Sequence, residues 1–209
     1  NLNKYNQFIY ISTSEVYGHQ NNKLLFDENM KVHPISPYSV GKYSGELYAQ
    51  MHMKHMLKPI KILRPFNVFG EMQSEKAVIP ELIKKFIKNQ TVKITKGTQT
   101  RDFNYVGNTI NFLLEAMKNR TFFNNIVNIS DGSEISIKLL AKKIQKITNS
   151  KSKLIIGGLA ERKTEIYRMK ASTAKMKKLM TIKKIFSFDE GLKRTINWYK
   201  KEKDMFSNF

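Results

Sequence analysis

The sequence predicts an α/β fold built on a doubly wound parallel sheet, with further α/β structure after residue 70. Three observations carry that prediction. Phe8-Ile9-Tyr10-Ile11-Ser12 is a short apolar, β-rich run that passes at once into polar Thr13-Ser14-Glu15, as a buried parallel strand does when it delivers side chains at its carboxyl end. Ile60-Lys61-Ile62-Leu63-Arg64 begins a second such run, which closes on a polar turn around Asn67 and Gly70. Between them, about Tyr38 to Leu57 reads as a helix that Lys58-Pro59 ends. Strand, helix and strand, with polar groups at both strand ends, make half of a doubly wound sheet.

The elements follow in order. A long polar loop from Gly18 to about Pro37 suits a region lying over a site. After Gly70, Val78–Ile87 has apolar residues at helical spacing, and that stripe reads as core. Thr91–Ile94 reads as a short strand, Lys96–Thr100 as a turn, Asn108–Lys118 as a helix and Ile126–Ile129 as a strand. Ser136 is placed as the N-cap of a helix running to about Thr148. Lys153–Ile156 reads as the last strand, and the closing helix, about Phe188 to Glu202, carries Leu192, Ile196 and Tyr199 on one stripe.

Composition narrows the function classes. The 209 residues include no cysteine, which excludes disulfides and thiolate zinc sites within the chain. No run approaches the ~18 apolar residues of a membrane span, and Asn1–Gln7 lacks a signal-peptide pattern, so a cytoplasmic protein without a membrane partner is expected. The net charge of +20 invites a nucleic-acid partner. The lysines are spread along helices, however, and no recognisable nucleic-acid module accompanies them. They read as solvated surface with some attraction for an anionic substrate, and a basic nucleic-acid-binding module stays as the non-enzyme alternative. His52 and His55 can share a helix face, yet no third ligand accompanies them and no metal is expected.

The chemistry concentrates in Tyr38-Ser39-Val40-Gly41-Lys42 and Thr13-Ser14-Glu15. Tyrosine and lysine four apart lie on one helix face, so the ammonium can sit beside the phenol. A free tyrosine has a pKa of about 10, and a nearby cation lowers it toward a working base. Taken alone, the pair is matched by a plainer account, a chance pairing on a solvated helix.

Four motifs in order change that balance: I-S-T-S-E-V-Y-G at 11–18, S-P-Y-S-V-G-K at 36–42, R-P-F-N-V-F-G at 64–70 and G-T-Q-T-R-D-F-N-Y-V at 97–106. Together the sequence resembles the extended short-chain dehydrogenase/reductase superfamily, the NAD-dependent epimerases and dehydratases of nucleotide sugars, from about residue 8 to about 203. With Q-S-E-K-A-V-I-P at 73–80 and V-N-I-S-D-G-S-E-I-S-I at 127–137, it is most similar to UDP-N-acetylglucosamine 4,6-dehydratases of the legionaminic-acid type. UDP-glucuronate decarboxylases and 4-epimerases are the competing members.

The resemblance implies a Rossmann-type sheet with a smaller α/β substrate-binding domain. Residues 1–70 would be the C-terminal part of the NAD-binding domain, and 71–209 mainly the substrate domain, with some segments returning to the sheet. It implies NAD as cofactor, NADP being open, a nucleotide-sugar substrate and a homodimer at full length. Catalysis falls to Tyr38, Lys42, Thr13, Ser14 and Glu15, cofactor contact to Tyr38, Lys42 and Ser12, and substrate contact to Asn67, Arg101 and Arg162. For Arg101 the alternative is a structural ion pair with an acid such as Asp102.

Three departures matter. The Gly-rich turn that opens a dinucleotide-binding fold is absent and the chain starts on Asn1, so a C-terminal fragment lacking on the order of 100 residues is expected. Glu71-Met72 stands where the family commonly has Pro-Arg, which puts a phosphate contact there in doubt. Ser14 replaces the aspartate of dTDP-glucose dehydratases, leaving acid chemistry to Glu15 or water.

Overall fold

Apolar runs alternating with amphipathic helices can bury both faces of a parallel strand only between helix layers. A computed structural model describes residues 5–20, 24–161, 165–180 and 186–206. In chain order, β1 (Phe8–Ile11) leads through a 3-10 turn at Ser14–Tyr17 to α1 (Pro37–His55) and β2 (Ile60–Pro65). There follow β3 (Val68–Phe69), α2 (Val78–Ile87), β4 (Val92–Ile94), β5 (Thr100–Arg101), β6 (Asn104–Tyr105) and α3 (Val106–Lys118). The remainder is β7 (Asn125–Ile129), β8 (Ile135–Ser136), α4 (Ile137–Thr148), β9 (Leu154–Ile156), β10 (Arg168–Met169), α5 (Ala174–Leu179) and α6 (Phe188–Phe206).

The main sheet has the order β1-β2-β7, all parallel, with Ile62 between Tyr10 and Ile126. Ala49 and Met53 of α1 pack on Ile60 and Ile62 from one face. Phe112 and Ala116 of α3 pack with Leu63, Val127 and Ile129 on the other. This is the Rossmann-like α/β arrangement that the sequence predicts. Beyond the sheet, α2, α4 and α6 enclose a second apolar cluster that includes Phe69, Ile83, Leu140 and Ile196. Small pairings frame it: β5 between parallel β10 and antiparallel β8, with β4 beside β9 and β3 beside β6.

Helix starts follow local chemistry. Ser36 caps α1, its hydroxyl accepting from the Ser39 amide while Ser39 Oγ accepts from the Ser36 amide, and Pro37 occupies the first turn. Ser136 caps α4 as expected, accepting from the Leu139 amide at 3.2 Å. Two readings are corrected. Lys153–Ile156 is not the last strand, because β10 follows it, and the turn read at Lys96–Thr100 stops one residue sooner, because β5 begins at Thr100. Strands two residues long show no alternation and exist only through their neighbours. The α5 helix was missed because lysines dominate its sequence.

Candidate active site

The carboxyl end of β1 sets the site floor. The Ser12 amide donates to Leu63 O at 2.7 Å, carrying the strand pairing one residue past β1, while its buried hydroxyl has no hydrogen-bond partner among the described residues. Thr13, in extended geometry, caps the 3-10 turn, and its Oγ1 accepts from the Glu15 amide at 3.3 Å. The turn then sends consecutive side chains to different places. The buried Ser14 hydroxyl donates to Met169 Sδ at 3.3 Å, whereas Glu15 is exposed and lines a cavity of about 250 Å³.

That cavity gathers Glu15, Ser36, Asn67, Arg101, Glu165 and Met169. Asn67 Nδ2 donates to Asp102 O at 3.3 Å and lies 3.7 Å from Met169 Sδ. A second cavity of about 350 Å³ shares Asn67, Arg101 and Glu165 with the first and extends past Lys76, Lys93 and Gln99. These three shared residues form the wall between the pocket of Glu15 and a pocket whose lining adds Lys76, Lys93 and Glu81.

Arg101 is firmly held. Its Nη1 donates to Thr100 O at 2.8 Å and Ile166 O at 2.6 Å, and its Nη2 to Glu165 Oε1 at 2.5 Å. The structural ion pair that stood as the alternative for Arg101, with an acid such as Asp102, is made here with Glu165. Asp102 is buried instead, accepting from the Ala171 amide at 3.2 Å, and burial pushes its carboxyl up to about 7. Arg162 lies outside the described residues. Glu71 of the departing pair accepts from the Tyr105 hydroxyl at 2.7 Å, which gives position 71 a packing role.

Tyr38 stands on the first turn of α1, 54% exposed; Ser36, two residues before it, lines the cavity, whereas Tyr38 and Lys42 do not. Lys42 Nζ donates to Ile11 O at 3.0 Å, so its hydrogen bond runs to the β1 backbone, not to the Tyr38 phenol that the helical spacing suggested. Tyr10 lies beneath, its ring centroid 5.8 Å from Lys42 Nζ and its hydroxyl donating to Lys42 O at 3.0 Å. Burial, with Glu46 and Tyr38 adding negative field, raises the Tyr10 phenol. A Cβ on Gly45 would fall 2.1 Å from the Tyr10 hydroxyl, so only glycine admits this contact.

Met169, Glu165 and Ser36 were not singled out as site residues. The Ser-Pro-Tyr-Ser capping signature could have found Ser36. Nothing local marks Met169 or Glu165, which reach the cavity only through the pairing of β10 with β5.

Comparison with known proteins agrees with this arrangement. Residues 2–130 match the NAD dependent epimerase/dehydratase family. A putative UDP-glucose 4-epimerase of Methanocaldococcus jannaschii is 36% identical over 193 residues, covering 90% of this chain and 61% of that protein. The human dTDP-D-glucose 4,6-dehydratase is 32% identical over 200 residues, covering 93% and 56%. The chain thus spans about 56–61% of the length of these relatives. The structure of UDP-glucuronic acid 4-epimerase from Bacillus cereus, in complex with UDP-glucuronic acid and NAD, superposes with a TM-score of 0.87 at 29% identity over 95% of this chain and 63% of that one. With sheet order, strand-end motifs and relatives in accord, the chain belongs to the NAD dependent epimerase/dehydratase family.

Proposed function

We propose that the full-length protein is an NAD-dependent nucleotide-sugar 4,6-dehydratase acting on UDP-N-acetylglucosamine in the cytoplasm, in bacterial surface-sugar biosynthesis. The observation that carries this reading is Glu15, an exposed carboxylate on the wall of the cavity that also holds Asn67 and Arg101. Dehydration needs a base at sugar carbon five, and epimerisation does not.

The residues present fit the cofactor. Ser12 Oγ is a buried hydroxyl without a partner among the described residues, at the carboxyl end of a parallel strand, where open α/β sheets bind dinucleotides, and such a group calls for one. NAD, when bound, supplies the hydride acceptor for sugar carbon four and the donor for the return to carbon six. Tyr38 Oη removes the proton of the 4-hydroxyl, Lys42 supplies positive charge on the same helix face, and Thr13 Oγ1 hydrogen-bonds the 4-oxygen. Glu15 takes the proton from carbon five, acidified by the neighbouring ketone, and Glu15 or a water molecule protonates the hydroxyl that leaves carbon six as water, a solvent proton later returning to carbon five. Ser14, tied to Met169, orients the turn. Arg101 and Asn67 hold the diphosphate between the two cavities, with Arg162 as the expected second arginine. Exposed Leu47, Tyr48 and Met51 on α1 support a homodimer.

The likeness to a UDP-glucuronic acid 4-epimerase favours a second reading, epimerisation or decarboxylation of a sugar acid, neither of which needs a base at carbon five. Glu15→Gln in the full-length protein separates them. The variant is expected to oxidise the sugar, seen as reduced nicotinamide absorbance, while elimination slows roughly 10²–10⁴-fold and solvent deuterium no longer enters carbon five. Dehydration at the wild-type rate, or carbon dioxide released from UDP-glucuronate, would overturn the dehydratase reading.

A further inference from the structure

The groups assigned to proton transfer sit on two separate segments, Tyr38 and Lys42 on α1 and Thr13 and Glu15 in the 3-10 turn. One buried side chain touches both segments. Arg64, on the central strand β2 and 2% exposed, donates from Nε to Glu46 Oε1 at 2.9 Å and from Nη2 to Glu46 Oε2 at 2.6 Å. Glu46 is wholly buried and lies one turn past Lys42 and two past Tyr38, on the same face of α1. The same guanidinium lies over the Tyr17 ring, 4.8 Å from its centroid, and Tyr17 ends the turn that carries Glu15. Tyr17 is fixed in turn, its hydroxyl donating to Asn128 Oδ1 on β7 at 2.7 Å.

A buried ion pair is seldom more stabilising than apolar residues of the same volume. What the two-point fork adds is direction, since it fixes the partner in distance and in rotation. We propose that Arg64 is a positioning residue that sets the placement of the Tyr38 helix relative to the Glu15 turn, clasping α1 through Glu46 and the turn through Tyr17. Apolar side chains would hold the layers together but leave helix and turn free to slide by fractions of an ångström. The inference rests on the acid/base reading of Tyr38 and Glu15 given above.

The test uses the full-length protein with Arg64→Lys, which keeps the charge and loses the planar fork. Turnover should fall roughly 10²-fold, the effect of misplacing a reacting group by about 1 Å, with KM little changed. A spectroscopic measurement stands beside it. Nitroxide labels on cysteines at exposed His19, just past the turn, and exposed Ser44, on α1, report the distance between the segments, any other cysteine in the protein being replaced first. A broadened distance distribution together with lost kcat is expected. Wild-type kcat, or a wild-type distance distribution whatever the kcat, would overturn the proposal. Should Arg64→Lys fail to fold, Arg64→Met/Glu46→Leu serves the same measurements, and full turnover in that apolar double variant would also overturn it. Tyr38→Phe in the same assay checks the underlying reading: activity there removes the acid/base assignment, while the distances still score the clasp.

Discussion

Around the main sheet the interior holds charge and directional bonds. Arg64 and Glu46 are paired out of water, and Lys61 Nζ, with desolvation lowering its pKa, donates to Gln7 Oε1 and to Ala116 O at the end of α3. The cluster enclosed by α2, α4 and α6 is packed from apolar side chains, with hydroxyls as its buried polar groups: Tyr105 and Tyr199 reach Glu71 and Gln73 O, and Thr195 on α6 donates to Gly191 O. The sheet region is specified by who bonds to whom, the second cluster by volume. Removing one member of a directional pair strands the other, whereas trimming an apolar side chain leaves only a gap. Stability measurements on the full-length protein can break that comparison.

The largest effect is expected at Arg64. Arg64→Met leaves Glu46 buried and uncompensated, and should cost about 3–5 kcal/mol in denaturant unfolding. Arg64→Met/Glu46→Leu removes both charges together and should return stability close to wild type. A double variant as unstable as the single one would mean that the pair contributes packing that leucine and methionine cannot replace, and the contrast with the second cluster would vanish.

Asp102 extends the comparison to pH. Its carboxyl is raised by burial from an ordinary value near 3.8 to about 7, with a Ser130 hydrogen bond and the Ala171 amide only partly offsetting the desolvation. A carboxyl raised in the folded state binds its proton more tightly there than in the unfolded chain. Stability is therefore untaxed by Asp102 below about pH 4, falls as pH rises from about 4 to about 7, and stays lowered above that. Asp102→Asn should match wild type at pH 5 more closely than at pH 8, where it should be the more stable by a few kcal/mol at most. A gap that does not widen with pH would show that Asp102 ionises freely in the folded protein.

Much of this division was legible in the sequence. The apolar stripe of α2 and the buried strand β2 show as patterns, and the Ser36 and Ser136 caps show as local signatures. Glu15 and Asn67 sit just beyond apolar runs, at strand ends where the chain must turn polar, whereas Arg101 was found through the G-T-Q-T-R motif that the resemblance supplies, and the three do line one cavity. What could not be read were partners distant in sequence. Arg101 binds Glu165, 64 residues away, where its neighbour Asp102 was the obvious guess. Ser14 finds Met169, 155 residues away, a thioether with no local signal as an acceptor. Lys42 turns to a backbone carbonyl that helical spacing cannot show. Lys61 and Arg64 look like interruptions in a buried strand, and only the structure shows what each is bonded to.

The smallest expected effect tests the apolar side. Ile83 on α2 is fully buried in the second cluster, which also holds Leu140 and Ile144 of α4, and none of these side chains has a polar atom to strand. Ile83→Val removes one methylene, so the loss is its transfer free energy plus that of whatever void the helices fail to close, about 0.5–1.5 kcal/mol. No titratable group changes, so the shift in denaturation midpoint should be the same at pH 5 and pH 8, unlike that of Asp102→Asn. If Ile83→Val instead costs as much as Arg64→Met, the second cluster is as exacting about shape as the sheet is about bonding. The difference between the regions would then lie in their polarity alone and not in how each tolerates loss.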